Sequence, residues 1–104
     1  MNTPWGKADQ VERVGSVADE TILFVSTASH GGYYVPPHAS ELILPEYRKR
    51  AERWSGSPHW YEEDCEWASV AVTFPDLFTE AQLEAARQTI AWRERMAAEN
   101  GARA

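Results

Sequence analysis

The segment Tyr61-Glu62-Glu63-Asp64-Cys65-Glu66-Trp67-Ala68-Ser69-Val70-Ala71-Val72-Thr73-Phe74 decides how the C-terminal half of this chain is built. Ala68, Val70, Val72 and Phe74 alternate as in a strand, whereas Trp67, Ala71 and Phe74 also fall on one face of a helix. The cluster Glu62-Glu63-Asp64 favours a helix start, where carboxylates meet the positive end of the macrodipole. Pro75 forces an end, because the residue before proline avoids the α region. Residues 61–74 are therefore read as a helix, with a strand as the alternative.

Downstream, Thr79-Glu80-Ala81-Gln82 has the pattern of a capping box, and Leu83, Ala86, Ile90 and Ala97 form an apolar stripe behind it. Asn100-Gly101 is a stop signal, and the tail Ala102-Arg103-Ala104 is expected to fray. Upstream, Pro45 suits a first helical turn, with Tyr47, Ala51 and Trp54 following at i, i+4 and i+7. Ser55-Gly56-Ser57-Pro58 then breaks the chain. The N-terminal third reads as β structure: a strand from Val11, turn residues from Gly15 to Glu20, and a strand rich in β-branched and aromatic residues from Thr21 to Thr27. After Ser29-His30-Gly31-Gly32, a short third strand, Tyr33-Tyr34-Val35, stops at Pro36-Pro37. The expected fold is α+β, a small antiparallel three-stranded sheet packed against two to three helices, in a single domain of residues 1–104 with an ordered core of about 3–100.

Composition narrows the class. Apolar residues make up 43% with five tryptophans, enough bulky side chain for one core. No apolar run approaches the roughly 20 residues of a membrane span, and no signal-like stretch opens the chain. The single cysteine, Cys65, has no internal partner, which suits a reducing compartment. A cytoplasmic protein with no membrane partner is expected.

The net charge is −6, unevenly placed. Between Trp54 and Ala86 stand Glu62, Glu63, Asp64, Glu66, Asp76, Glu80 and Glu84 with no Lys or Arg. Arg48, Lys49, Arg50 and Arg53 lie just before this window. The balance argues against direct nucleic-acid binding, since phosphate contacts rely on cations, and favours a basic protein partner.

Four constellations carry possible chemistry. Ser26, Ser29 and His30 beside Gly31-Gly32 resemble a nucleophile, a base and an oxyanion loop, but no G-x-S-x-G accompanies them. The glycines are more simply read as supplying positive φ in a hairpin loop while the Ser and Thr hydroxyls bind nearby backbone, with His30 holding the hairpin through a buried side-chain hydrogen bond. His30, His38, His59 and Cys65 fit no zinc spacing, so no metal or other cofactor is expected. The carboxylates Glu62, Glu63, Asp64 and Glu66 read as a solvated helix start rather than an acid–base pair. Trp5, Trp54, Trp60, Trp67 and Trp92 could stack nucleobases, but that requires a basic groove alongside; core packing is the stronger reading for most. Trp60 and Tyr61 are expected as exposed interface anchors.

Thr3-Pro4-Trp5-Gly6, the Ser26-to-Gly32 segment, the Trp60-to-Ala68 segment and Phe74-Pro75-Asp76-Leu77-Phe78 together resemble a small, uncharacterised domain family of proteobacterial plasmids and prophages. Its pattern, TPWG … STxSHGG … YEEDxxWAxV … FPxLF, covers residues 3 to about 92. The resemblance implies a mobile-element setting, in which small acidic proteins often oppose host defences. The expectation is a non-enzymatic anti-CRISPR inhibitor, monomeric or homodimeric. It would bind a type I surveillance complex through Glu62, Glu63, Asp64, Glu66, Trp60 and Tyr61. The alternative is a small hydrolase-like or ligand-binding domain centred on Ser29, His30, Gly31 and Gly32.

Overall fold

The computed structural model describes the backbone of residues 1–103 and the side chains of residues 1–99. In chain order, β1 (Asn2–Thr3) and β2 (Gly6–Lys7) make a small hairpin, and β3 (Gln10–Val17), β4 (Glu20–Ser26) and β5 (Gly31–Tyr34) follow. Then come α1 (Pro37–Ser40), α2 (Pro45–Ser55), β6 (Trp60–Glu62), α3 (Trp67–Thr73) and, after a 3-10 turn at Pro75–Leu77, α4 (Glu80–Arg103). The class is α+β, but the main sheet has four strands, β3-β4-β5-β6, all antiparallel, and β1-β2 is a separate two-stranded sheet. The expected three-stranded sheet is corrected by β6, and the expected two to three helices become four among the described residues.

β6 is also where the helical reading of residues 61–74 fails at its start. Trp60, Tyr61 and Glu62 pair with Tyr34, Tyr33 and Gly32, and only from Trp67 does the backbone turn helical. Strand geometry sends alternate side chains to opposite faces, so the pairing aligns Phe24, Tyr33 and Tyr61 on one face and Val25, Gly32 and Glu62 on the other. The first face carries the core, where Ile22, Val35, Ile43, Ala51, Tyr61 and Val70 are buried. The second is covered at Gly32 by Trp5 from the β1–β2 turn. A Cβ at Gly32 would lie 2.5 Å from the Trp5 ring and 2.6 Å from the Tyr61 carbonyl oxygen. Gly31 and Gly32 thus sit inside β5, not in a loop, and neither has positive φ. What Gly32 provides is close approach.

The β3–β4 turn is tighter than the sequence suggests. Ala18 and Asp19 alone form it, with φ of 52° and 63°, the double left-handed geometry that matches hairpin twist. Gly15 stays within β3, beside a bulge between Arg13 and Gly15.

The excursion from β5 to β6 is fastened at several points. The Glu20 carboxylate accepts from the Ala39 and His38 amides at 3.1 and 2.7 Å, and the Ser40 hydroxyl donates to the Pro58 carbonyl. Helix α2 buries Tyr47 and Ala51 and ends at left-handed Gly56, but Trp54 is 69% exposed, contrary to its expected place on the buried face. Helix α4 starts with the capping box: Thr79 accepts from the Gln82 amide through Oγ1, and Gln82 accepts from the Thr79 amide through Oε1. Leu83 and Ala86 pack on Ala68 and Ala71 of α3. The helix continues through Asn100-Gly101 to Arg103 rather than stopping there, so Ala102 and Arg103 are helical, and Ala104 lies outside the described residues. Among the described residues no helix is long and apolar enough to cross a membrane.

Candidate functional site

The acidic segment that leads out of β6 is mostly committed to structure. Glu62 folds back and its carboxylate accepts from the amides of Cys65 at 2.6 Å, Asp64 at 3.0 Å and Glu66 at 3.1 Å. Those donors precede α3, so the carboxylate shapes the turn into the helix. This role replaces the solvated helix start. Glu66 is 2% exposed and receives a hydrogen bond from Arg93 of α4. Burial raises the Glu66 pKa above its ordinary value, although the Arg93 guanidinium opposes the shift. Tyr61 is fully buried, and burial pushes its phenol up to about 12. The Ser40 hydroxyl and Arg48 beside it oppose that shift, but the phenol oxygen has no hydrogen-bond partner of normal geometry among the described residues. Tyr61 and Glu66 are therefore corrected from partner-facing to interior residues. Trp60 is half-buried, with Trp5 edge-on at 5.7 Å and Tyr34 at 5.0 Å between ring centroids. Of the expected surface, Glu63 and Asp64 remain exposed.

The Ser29-His30 loop is organised by Thr27, in keeping with the expectation that its hydroxyls bind nearby backbone. Thr27 Oγ1 accepts from the His30 amide at 3.1 Å and the Ser29 amide at 3.4 Å, and donates to the His30 carbonyl. The Thr27 amide donates to the same carbonyl at 2.7 Å. Ser29 and His30 are exposed, and the His30 ring makes no hydrogen bond among the described residues. The expected buried histidine lock is thus a threonine turn. Its signal was the hydroxyl three residues before His30, a spacing typical of side-chain-to-backbone turns.

Beside this loop opens a cleft of about 780 Å³. Arg50, Arg53 and Trp54 of α2 line one part, and Trp92, Arg93, Met96 and Ala97 of α4 another. Glu62, Asp64, Cys65 and Glu66 of the turn, with Trp5 and His30, complete it. Trp54 and Trp92 are 69% and 50% exposed, so they are not the core residues expected from their size. Segments far apart in sequence meet here: the TPWG, SHGG and YEED pieces of the quoted pattern each contribute a lining residue. Two arginines of the α2 basic run and three tryptophans occupy one concavity, a juxtaposition not visible in linear spacing. Among the described residues no three His, Cys, Asp or Glu side chains gather as a metal site requires.

The fold and cleft define a small α+β domain with an aromatic-lined recess at the edge strand of its sheet. Residues 1–100 match the family model described as domain of unknown function (DUF7007), and the chain belongs to that family. It is an uncharacterised small-domain family, as the resemblance implied at that level. No curated protein and no solved structure matches the chain.

Proposed function

We propose that this domain is a non-enzymatic inhibitor that binds a basic, nucleic-acid-handling host protein through its acidic face. The anti-defence setting implied by the sequence resemblance makes a type I CRISPR surveillance complex the first partner to test. The observation that supports this reading is the exposure of Glu63, Asp64, Asp76, Glu80 and Glu84 in a window free of lysine and arginine. Complementary potentials of this kind accelerate encounter and fix orientation. Glu62 and Glu66 do not belong to the contact surface, because one shapes a turn and the other is buried.

The test is a charge reversal confined to exposed positions, Glu63→Lys, Asp64→Lys, Glu80→Lys and Glu84→Lys together. Binding to the purified surveillance complex is followed at low and high salt, alongside thermal melting of the variant. The expected result is loss of binding with the fold retained, and a parental affinity that falls as salt rises. Unchanged affinity in the reversed variant overturns the electrostatic reading.

A further inference from the structure

Two features of the cleft do not serve the acidic-face reading: exposed aromatic rings and arginines with no ion-pair partner. Trp54 and Trp92 present ring surface to solvent from α2 and α4. Arg50 and Arg53 line the same recess, and among the described residues neither has a carboxylate within ion-pair distance. The carboxylates around them are largely accounted for. Glu66 is held by Arg93, and Glu62 is held by three amides. Asp64 is exposed and its carboxylate makes no hydrogen bond among the described residues.

We propose that the cleft between α2 and α4 is a nucleotide-binding site, in which Trp54 and Trp92 stack the base and Arg50 and Arg53 hold the phosphate. The chemistry is that of single-strand recognition, where sequence-tolerant stacking on aromatic rings is combined with a cationic path for the backbone. The volume, about 780 Å³, falls in the range of roughly 300–1,000 Å³ common for small-ligand sites. Asp64 can accept from an exocyclic amine of the base, as carboxylates do from base edges. Adenine, which carries such an amine, is therefore the base to test. The ligand is either a free nucleotide or a unit of a single strand, because both offer a base joined to a phosphate. The recess also holds Glu62, Asp64 and Glu66, and the Arg50 guanidinium lies over the Tyr47 ring, so the phosphates engaged number about two at most, one for each of Arg50 and Arg53.

The test titrates the purified protein with adenosine monophosphate and with a six-nucleotide oligodeoxyadenylate, following tryptophan fluorescence and calorimetry. Saturable quenching is expected. Trp54→Ala and Arg53→Glu, both at exposed positions, should each weaken binding about tenfold or more with melting unchanged. Comparable affinities for the two probes identify a free nucleotide as the ligand. A much tighter oligonucleotide, with a log–log salt slope of about −1.4, identifies a single strand. The proposal is overturned if neither probe saturates or if both variants bind like the parent. It also fails if sedimentation shows Trp54→Ala converting a dimer to a monomer, because a second copy then fills the cleft. These measurements involve no host complex, so their failure and the failure of the acidic-face reading are separate results.

Discussion

Glu66 and Arg93 lie 27 residues apart in sequence and join the start of α3 to the middle of α4 through a side-chain hydrogen bond whose carboxylate is buried and whose guanidinium is partly exposed at the cleft. Removing one member of such a pair leaves a charge in a poorly solvated place. Arg93→Ala is expected to cost about 3 kcal/mol at neutral pH, measured by denaturant unfolding.

The same pair sets a pH dependence. Burial raises the Glu66 pKa above its ordinary value of 4.5, so the folded state binds the proton more tightly than the unfolded state does. The stability this contributes is fully present below the ordinary value and is lost as pH rises through the folded one. Arg93→Ala removes an opposing attraction and moves the folded value further up. Its destabilisation should therefore be smaller at pH 4 than at pH 7, and an equal loss at both would refute the assignment.

Thr27, rather than His30, is expected to stabilise the β4–β5 loop. Thr27→Val removes a hydroxyl that accepts from two amides and donates to one carbonyl, at a cost of about 1–2 kcal/mol. His30→Ala should change stability by less than about 0.5 kcal/mol, as expected for an exposed side chain without a partner. Thermal melting of the two variants checks the contrast.

Gly32→Ala is expected to destabilise by about 1–3 kcal/mol, because the added methyl meets backbone at the Tyr61 carbonyl as well as the Trp5 ring. Trp5→Ala in that background can relieve only the contact with the ring. At Gly31 the methyl meets the Glu63 carboxylate, the end of a flexible side chain, and the Phe24 ring at 3.2 Å, so Gly31→Ala should cost less. Urea midpoints of the three variants test the order.

Ala18→Asn with Asp19→Gly should raise stability by about 1 kcal/mol, since both positions hold positive φ that favours these residues. For a domain of this size that is a rise in Tm of about 4–8 °C.

The elements that the sequence makes legible are those with local signals. The α4 capping box, the Gly56 helix end and the β4 strand all follow from residues within one or two turns of each other. The three-residue β6 has no such signal; its strand character comes from pairing with β5 across the α1–α2 excursion. In α3, Ala68 to Ala71 are buried at four consecutive positions, so strand and helix periodicities fit equally well. Glu66 reads as a surface acid because its cation is on another helix. The cleft was illegible for a related reason: Trp5, Trp54 and Trp92 are brought together by tertiary packing alone. Size suggested core, but position left Trp54 and Trp92 outside it.

β3 forms one margin of the sheet, and no strand pairs with its outer side among the described residues. A strand of eight residues with open amides and carbonyls is a template onto which another chain can be added. Here the interruption of register at Val14 and the exposed charges of Glu12 and Arg13 work against such addition. The irregularity beside Gly15 in the β3–β4 hairpin is thus also a guard on the sheet's open margin, breaking the straight run of amides and carbonyls that an added strand would need.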